Sequence, residues 1–262
     1  AVAGESGKID IAASYEVSRD REFIYQGYDT TCLVELDESP PELINQEALQ
    51  IALHIAILLN CEIIPITQIM RKIVVDGSNT SGFQRTVLIA RNGYIDSSSG
   101  RVKIDNISLE EDAARIVERG KDGEKNKGIV VFKLDRLGIP LIEIGTAPDI
   151  KTAEQCKEVA LLMGDILRSC KVKRGIGTIR QDLNISYKKH PRVEIKGFQD
   201  VRMFIPVINK KHVTIGSGFD INIIHLNNTR LFIARKRTPQ GKCFLVGFNF
   251  YAKEIYKFLF LC

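Results

Sequence analysis

Gly177-Thr178-Ile179-Arg180-Gln181-Asp182-Leu183-Asn184-Ile185-Ser186-Tyr187 alternates from end to end. Ile179, Leu183, Ile185 and Tyr187 face one way; Arg180, Asp182, Asn184 and Ser186 face the other. A period of two marks a strand with one packed face and one polar face. A second alternating run, 192–196, has Val193 and Ile195 apolar between Arg192, Glu194 and Lys196. A one-residue slip would invert either strand, so register decides whether the faces agree. Pairing 186 with 192 sets Asn184 opposite Glu194, Asp182 opposite Lys196 and Ile185 opposite Val193. The polar faces then coincide in an antiparallel hairpin.

Upstream, strands are expected at 31–36, 87–90, 129–134 and 141–144, and one more enters the loop at 76. Asn45 is a plausible N-cap for a helix to about 60 that is apolar nearly all round, so it should be buried with His54 in the core or an interface. Ser108 with Glu111, and Thr152 with Gln155, read as capping boxes. They predict a short helix from 108 and a longer one to about 169. Asn92-Gly93 reads as a hairpin turn.

Four features could carry chemistry. Glu143 lies inside the apolar strand Pro140-Leu141-Ile142-Glu143-Ile144-Gly145. A carboxylate there is costly to bury unless it is paired or bound to a cation. Arg136 or Lys133 could pair it; a Mg²⁺ site built from a few carboxylates is the alternative. Glu110-Glu111-Asp112 falls in the first turn of the expected helix, where the dipole alone explains acids. Glu111 has the capping role, which leaves Glu110 as the better metal-ligand candidate. The loop 76–86 lacks a Walker A pattern, but Gly77 and Gly82 allow close backbone approach. Arg71, Lys72 and Arg85 beside it could neutralise phosphate, although a polar surface loop needs no function. The hairpin face of Arg180, Asp182, Asn184, Glu194 and Lys196 mixes the groups that a metal and a phosphate chain require. A solvated sheet face is the plainer reading.

The chain has 262 residues, of which 44% are hydrophobic and 26% charged, enough for a globular core. No apolar run reaches the roughly 18–20 residues of a membrane span. Ala1-Val2-Ala3-Gly4-Glu5 has no signal-peptide pattern. Six scattered cysteines form no C-x-x-C pair, which argues against a zinc ribbon and for a reduced, cytoplasmic setting, with Cys61, Cys156 and Cys170 in the core. With four histidines and no Ser/His/Asp or Cys/His constellation, a hydrolase has no support. Composition changes near Val201: residues 201–262 hold ten Lys/Arg against two Asp/Glu, and ten of the chain's aromatics.

The motifs together resemble the E-type subunit of archaeal glutamyl-tRNA(Gln) amidotransferase. The resemblance rests on 71–86, from Arg71-Lys72 through Asp76-Gly77-Ser78-Asn79-Thr80-Ser81-Gly82 to Gln84-Arg85-Thr86. Further matches are Leu109-Glu110-Glu111-Asp112-Ala113-Ala114-Arg115, 135–144, Thr146-Ala147-Pro148-Asp149-Ile150, 177–186 and 192–197. The related bacterial B-type protein shares the acidic, 141–144 and hairpin motifs but differs at the loop. The resemblance implies an α+β, cradle-like kinase domain with a mixed or antiparallel sheet and flanking helices. It implies ATP-dependent phosphorylation of the γ-carboxylate of glutamate mischarged on tRNA(Gln), with Mg²⁺, before ammonia from an asparaginase-like D-type partner displaces phosphate. By motif position, Glu110 and Glu143 become Mg²⁺ ligands. Lys72, Arg180 and Asp182 become catalytic candidates, and Ser78, Asn79, Gln84 and Asn184 nucleotide contacts. The family's G-x-E-x-H strand is absent from this sequence, and the resemblance stops after about Pro206. The expected division is a catalytic domain at 1–200 and a divergent basic, aromatic-rich tail at 201–262. A non-catalytic remnant, or an RNA-binding module using that tail, is the competing reading.

Overall fold

The computed structural model describes residues 11–29, 31–120, 128–175, 178–187, 192–198, 200–215, 219–228, 232–237, 243–248 and 257–258. In chain order the elements are α1 (Ile11–Ser18), β1 (Glu22–Gln26), α2 (Gln46–Leu58), β2 (Glu62–Ile63), β3 (Ile69–Ile73), β4 (Phe83–Ser97) and β5 (Gly100–Glu111). Next come β6 (Arg115–Arg119), β7 (Ile129–Lys133), β8 (Pro140–Thr146), α3 (Ala153–Ser169), β9 (Ile179–Tyr187) and β10 (Val193–Phe198). A 3₁₀ turn, Val201–Met203, leads into α4 (Phe204–Ile215) and β11 (Phe219–Asn228), followed by β12 (Phe232–Arg237), β13 (Cys243–Phe248) and β14 (Lys257–Phe258). The architecture is α+β.

The central sheet runs β10-β9-β11-β8-β5-β4-β2, with β3 also on β4, and every pairing in it is antiparallel. One face is apolar. Val87, Ile107, Leu109, Ile142, Ile144, Leu183 and Ile185 pack there with α2 and α3 in one core. Both helices are capped as their sequences predict: Asn45 Oδ1 accepts from Ala48 N at 2.9 Å, and Thr152 Oγ1 from Gln155 N at 3.1 Å. α2 buries Ala48, Ile51, Ala52, Ile55 and Ala56 as a stripe. The all-round burial expected of it does not hold, since Ile57 is 63% exposed and His54 is also exposed on the outer side. A smaller mixed sheet, β1-β7-β6, has its own core of Phe132, Val130, Leu134 and Leu137, where Phe132 meets the rings of Phe23 and Tyr25. β12, β13 and β14 form a separate three-stranded sheet.

β11 lies between β8 and β9, so the sheet continues past Val201, where the composition changes. Of the expected cysteine placements, Cys156 and Cys170 are buried and Cys61 is half-buried.

Three local expectations fail. Residues 31–36 are not a strand. Successive i→i+3 backbone bonds wind them into turns, and the Glu35 carboxylate accepts from Cys32 N at 3.0 Å. No helix begins at Ser108, because Ser108, Glu110 and Glu111 lie in β5, laddered to β4 on one side and β8 on the other. Two long-range ladders outweigh one local cap. Asn92-Gly93 makes no hairpin turn; the turn is Ser98-Ser99, with Ser97 paired to Gly100. Asn92 instead kinks β4 at φ 54°, and Gly93 lets the end of α2 approach, with Tyr94 N donating to Leu59 O at 2.9 Å. A Cβ on Gly93 would meet Leu59 O at 2.6 Å.

Candidate functional site

Cross-strand partners in an antiparallel sheet share a face. Lys72 pairs with Gln84, Thr86 with Glu110, and Ser108 with Glu143. The register then passes through Leu226 of β11, which stands opposite both Glu143 and Arg180. Asp182 and Asn184 follow Arg180 on that face, and Asn184 stands opposite Glu194. Lys72, Gln84, Glu110, Glu143, Arg180, Asp182 and Asn184 therefore form one polar face, on the side of the sheet away from α2 and α3. The same alternation that buries Leu109, Ile142 and Leu183 displays these groups.

Glu110 is 4% exposed and holds Lys72 Nζ at 3.3 Å. Thr86, itself buried, donates its hydroxyl to the same oxygen at 3.1 Å. Glu143 stands diagonally across the β5–β8 ladder from Glu110. Among the described residues nothing hydrogen-bonds or ion-pairs with Glu143. Its two expected partners are engaged elsewhere: Arg136 Nε lies 3.2 Å from Asp112, and Lys133 Nζ lies 3.9 Å from Asp135. Burial pushes the Glu143 carboxyl above its ordinary range; Glu110 and Asp182 push the same way, and Lys72 and Lys196 oppose them.

The hairpin keeps Ile185 opposite Val193 and Asn184 opposite Glu194, as its alternation predicts. The expected match of Asp182 with Lys196 does not form. A bulge between Ile195 and Phe198 shifts the register, and Asp182 Oδ1 accepts from Gly197 N at 2.8 Å, with Gly197 at φ 78°. Lys196 pairs with Glu194 at 3.4 Å instead. Asn184 is buried, and neither its Oδ1 nor its Nδ2 has a partner among the described residues. Each such group costs about 1–3 kcal/mol when left dry and unpaired. Gln84 Nε2 donates to Glu111 O at 2.7 Å.

Ser78 and Asn79 lie on the loop between β3 and β4. The Ser78 hydroxyl donates to Asp76 at 2.6 Å, its carbonyl accepts from Ala114 N, and the Tyr25 hydroxyl ties the neighbouring Gly77 O to the small sheet. Asn79 lines a cavity of about 160 Å³ together with Phe83, Arg85, Val87, Leu109 and Glu111, and Glu110 of the acidic row lines it too. No hydrogen bond or ion pair joins Ser78 or Asn79 to the acidic row among the described residues. Asn79 Oδ1 is buried without a partner among the described residues.

Sequence reasoning missed two participants. Thr86 is the strand residue two beyond Gln84, so extending β4 back from Val87 would have placed it. Asp112 bridges Arg136 and Arg180, at 3.2 and 3.4 Å, a contact between segments distant in sequence that no local pattern announces.

Among the described residues no three His, Cys, Asp or Glu side chains are grouped to hold a metal ion. Glu110 and Glu143 are a pair of hard oxygen donors, the kind of set that suits a cation carrying waters and phosphate oxygens as its other ligands. No helix among them is long and apolar enough to cross a membrane.

A family model described as the GatB/GatE catalytic domain matches residues 14–239, which extends beyond the expected end of the resemblance near Pro206. The E subunit of glutamyl-tRNA(Gln) amidotransferase from Methanocaldococcus jannaschii is 54% identical over 209 residues, 79% of this chain and 32% of that protein. The protein of the same name from Archaeoglobus fulgidus is 54% identical over 205 residues, 78% of this chain and 32% of its own length. That from Pyrococcus abyssi is 54% identical over 211 residues, 80% and 32%. The chain thus spans about a third of the length of the curated relatives it matches. With the family model covering most of its length, the chain belongs to the GatB/GatE catalytic domain family.

Proposed function

We propose that this domain is the cradle-like kinase part of an ATP-dependent glutamyl-tRNA(Gln) amidotransferase. The observation that supports this best is Glu143: a half-buried carboxylate without an ion pair among the described residues, diagonal to a second carboxylate. A cation accepted between Glu110 and Glu143 would relieve that arrangement, and their donor chemistry fits Mg²⁺. When bound, Mg²⁺ screens the phosphate charge and draws electron density from the phosphoryl oxygens. Lys72 and Arg180 carry the positive charge that faces the transferring phosphoryl group. Asp182 holds the β10 bulge through Gly197 and adds negative charge beside Glu143. Asn184 and Gln84 are the nucleotide contacts on the row, and Ser78 and Asn79 would contribute through the loop.

In the reaction, an oxygen of the glutamyl γ-carboxylate attacks the γ-phosphorus of ATP, and the bond to the ADP oxygen breaks. Ammonia then attacks the acyl carbon, phosphate leaves, and Gln-tRNA(Gln) results. No protein nucleophile is needed. Glu-tRNA(Gln) is the proposed substrate and an asparaginase-like D-type partner the proposed ammonia source.

Calorimetric titration of the 262-residue chain with ATP, with and without Mg²⁺, tests this reading. Mg²⁺-dependent binding that Glu143→Gln weakens about tenfold or more is expected. Equal affinity in the two proteins overturns the assignment of the site.

A further inference from the structure

Asp112 lies one residue past β5 and is 3% exposed. The 134–139 turn fixes its backbone: Asp112 N donates to Ile139 O at 2.7 Å, and Gly138 N donates to Asp112 O at 3.0 Å. Two guanidiniums reach its carboxylate from different parts of the chain. Arg136 Nε lies 3.2 Å from Oδ2, and Arg180 Nη2 lies 3.4 Å from Oδ1. Ala113 N adds a donor to Oδ1 at 3.0 Å. Arg136 uses only Nε, which also faces Ala113 O at 3.3 Å, and among the described residues neither Nη1 nor Nη2 has a partner. Arg180 uses only Nη2. The side chains are 36% and 25% exposed, so these unused donors are only partly open to water.

We infer that Arg136 and Arg180, held on the shared Asp112, form a two-arginine site for a phosphoryl anion. A guanidinium is a planar fork that matches phosphate oxygens, and partial burial strengthens each charge-assisted bond. Anchoring one edge of each fork on a fixed carboxylate leaves the other edges directed and lowers the ordering cost of capture. Two guanidiniums on one carboxylate also leave excess positive charge near the Arg180 end of the acidic row. Asp112 acts as a positioning residue and Arg136 as a phosphate contact. This deepens the phosphoryl-transfer reading, with which it shares Arg180; Arg136 and Asp112 are additional to that reading.

The probe is inorganic tripolyphosphate, titrated calorimetrically into the 262-residue chain in a chelator-containing buffer without Mg²⁺. Saturable binding is expected. Arg136→Gln should weaken it about tenfold, and Arg136→Lys, which keeps the charge but not the fork, less. Asp112→Asn should weaken it comparably, and Asp112→Glu should recover part of the loss, which a purely structural carboxylate would not predict. Circular dichroism identifies any variant that fails to fold, and Arg136→Lys then carries the test. Absence of saturable binding to the parent, or unchanged affinity in the folded Arg136 variants, overturns the inference. Equal binding of succinate reassigns the pair to carboxylates and overturns the phosphoryl assignment. Because the metal is excluded, this titration does not draw on the Glu110–Glu143 pair, and its failure leaves the Mg·ATP reading to be judged by its own titration.

Discussion

Replacing Glu143 with Gln removes a charge that the folded chain stabilises poorly. Glu110 stands opposite Leu141, and Glu143 is two residues along the same strand. Diagonal neighbours of that kind are about 7 Å apart. At an effective dielectric of about 20, two unit charges at that distance repel by about 2 kcal/mol. Lys72, 3.3 Å from Glu110 but 54% exposed, and the exposed Lys196 offset roughly half of this, leaving about 1 kcal/mol. Glu143→Gln should therefore stabilise the metal-free protein, raising its melting temperature by about 2–4 °C at neutral pH. The pH dependence has a definite sign. The folded-state pKa of Glu143 is raised, so between its unfolded value and that raised value the native state binds more protons than the unfolded state. Its contribution to stability then falls as pH rises through that window and is constant above it. The variant lacks this fall. The difference in melting temperature should vanish at acid pH, grow across the window and level off towards neutrality. Differential scanning calorimetry in chelator, from acid to neutral pH, measures it. A variant equally or less stable than the parent at neutral pH would refute the claim that Glu143 is held at an electrostatic cost.

Two further outcomes concern the scaffold. Gly93→Ala should destabilise the chain by about 1–3 kcal/mol in urea unfolding, because the new Cβ would meet both Cys61 Sγ and Leu59 O. Cys61→Ala should not rescue it, since the Leu59 carbonyl at 2.6 Å remains; full rescue would show that the close approach is not backbone-limited. Burial raises the thiols of Cys61 to about 11 and Cys156 to about 12, so both should react slowly with a thiol reagent at pH 8 and rapidly once the chain unfolds. Prompt native-state labelling of Cys156, identified by mass spectrometry, would contradict its burial.

What the sequence made legible was whatever depends on a short period or on a cap that packing supports. The 179–187 alternation, the Asn45 and Thr152 caps and the strand around Glu143 all stand as read. The local motifs that failed share a cause. Ser108 with Glu111 and Asn92 with Gly93 are four- and two-residue patterns whose meaning is set by partners distant in sequence, respectively the β4 and β8 ladders and the end of α2. The same distance hid the site's connections. Lys72 meets Glu110 only because β3, β4 and β5 pair in register, and Arg180 meets Asp112 across 68 residues of chain. Residue types could nominate Lys72, Glu110, Glu143 and Arg180 individually. Only the sheet register joins them, whereas Ser78 and Asn79 lie on the loop between β3 and β4.

The register also explains why the polar face can hold so many poorly satisfied groups. Ile107, Leu109, Ile142, Ile144, Leu183 and Ile185 are buried on the reverse side. Fully burying one such side chain contributes about 1.5–3 kcal/mol, and a one-residue slip of any strand would expose that strand's whole set. The packed face therefore fixes the register strongly enough to hold Glu143 beside Glu110, and Asn184 without a partner among the described residues. The unmet groups are of both signs: a carboxylate at Glu143, and guanidinium donors on Arg136 and Arg180. A bare cation would answer the first, and a bare anion the second. A cation carried by a phosphate chain presents both charges at once, and that complementarity, more than any single side chain, argues for a metal–polyphosphate ligand on this face.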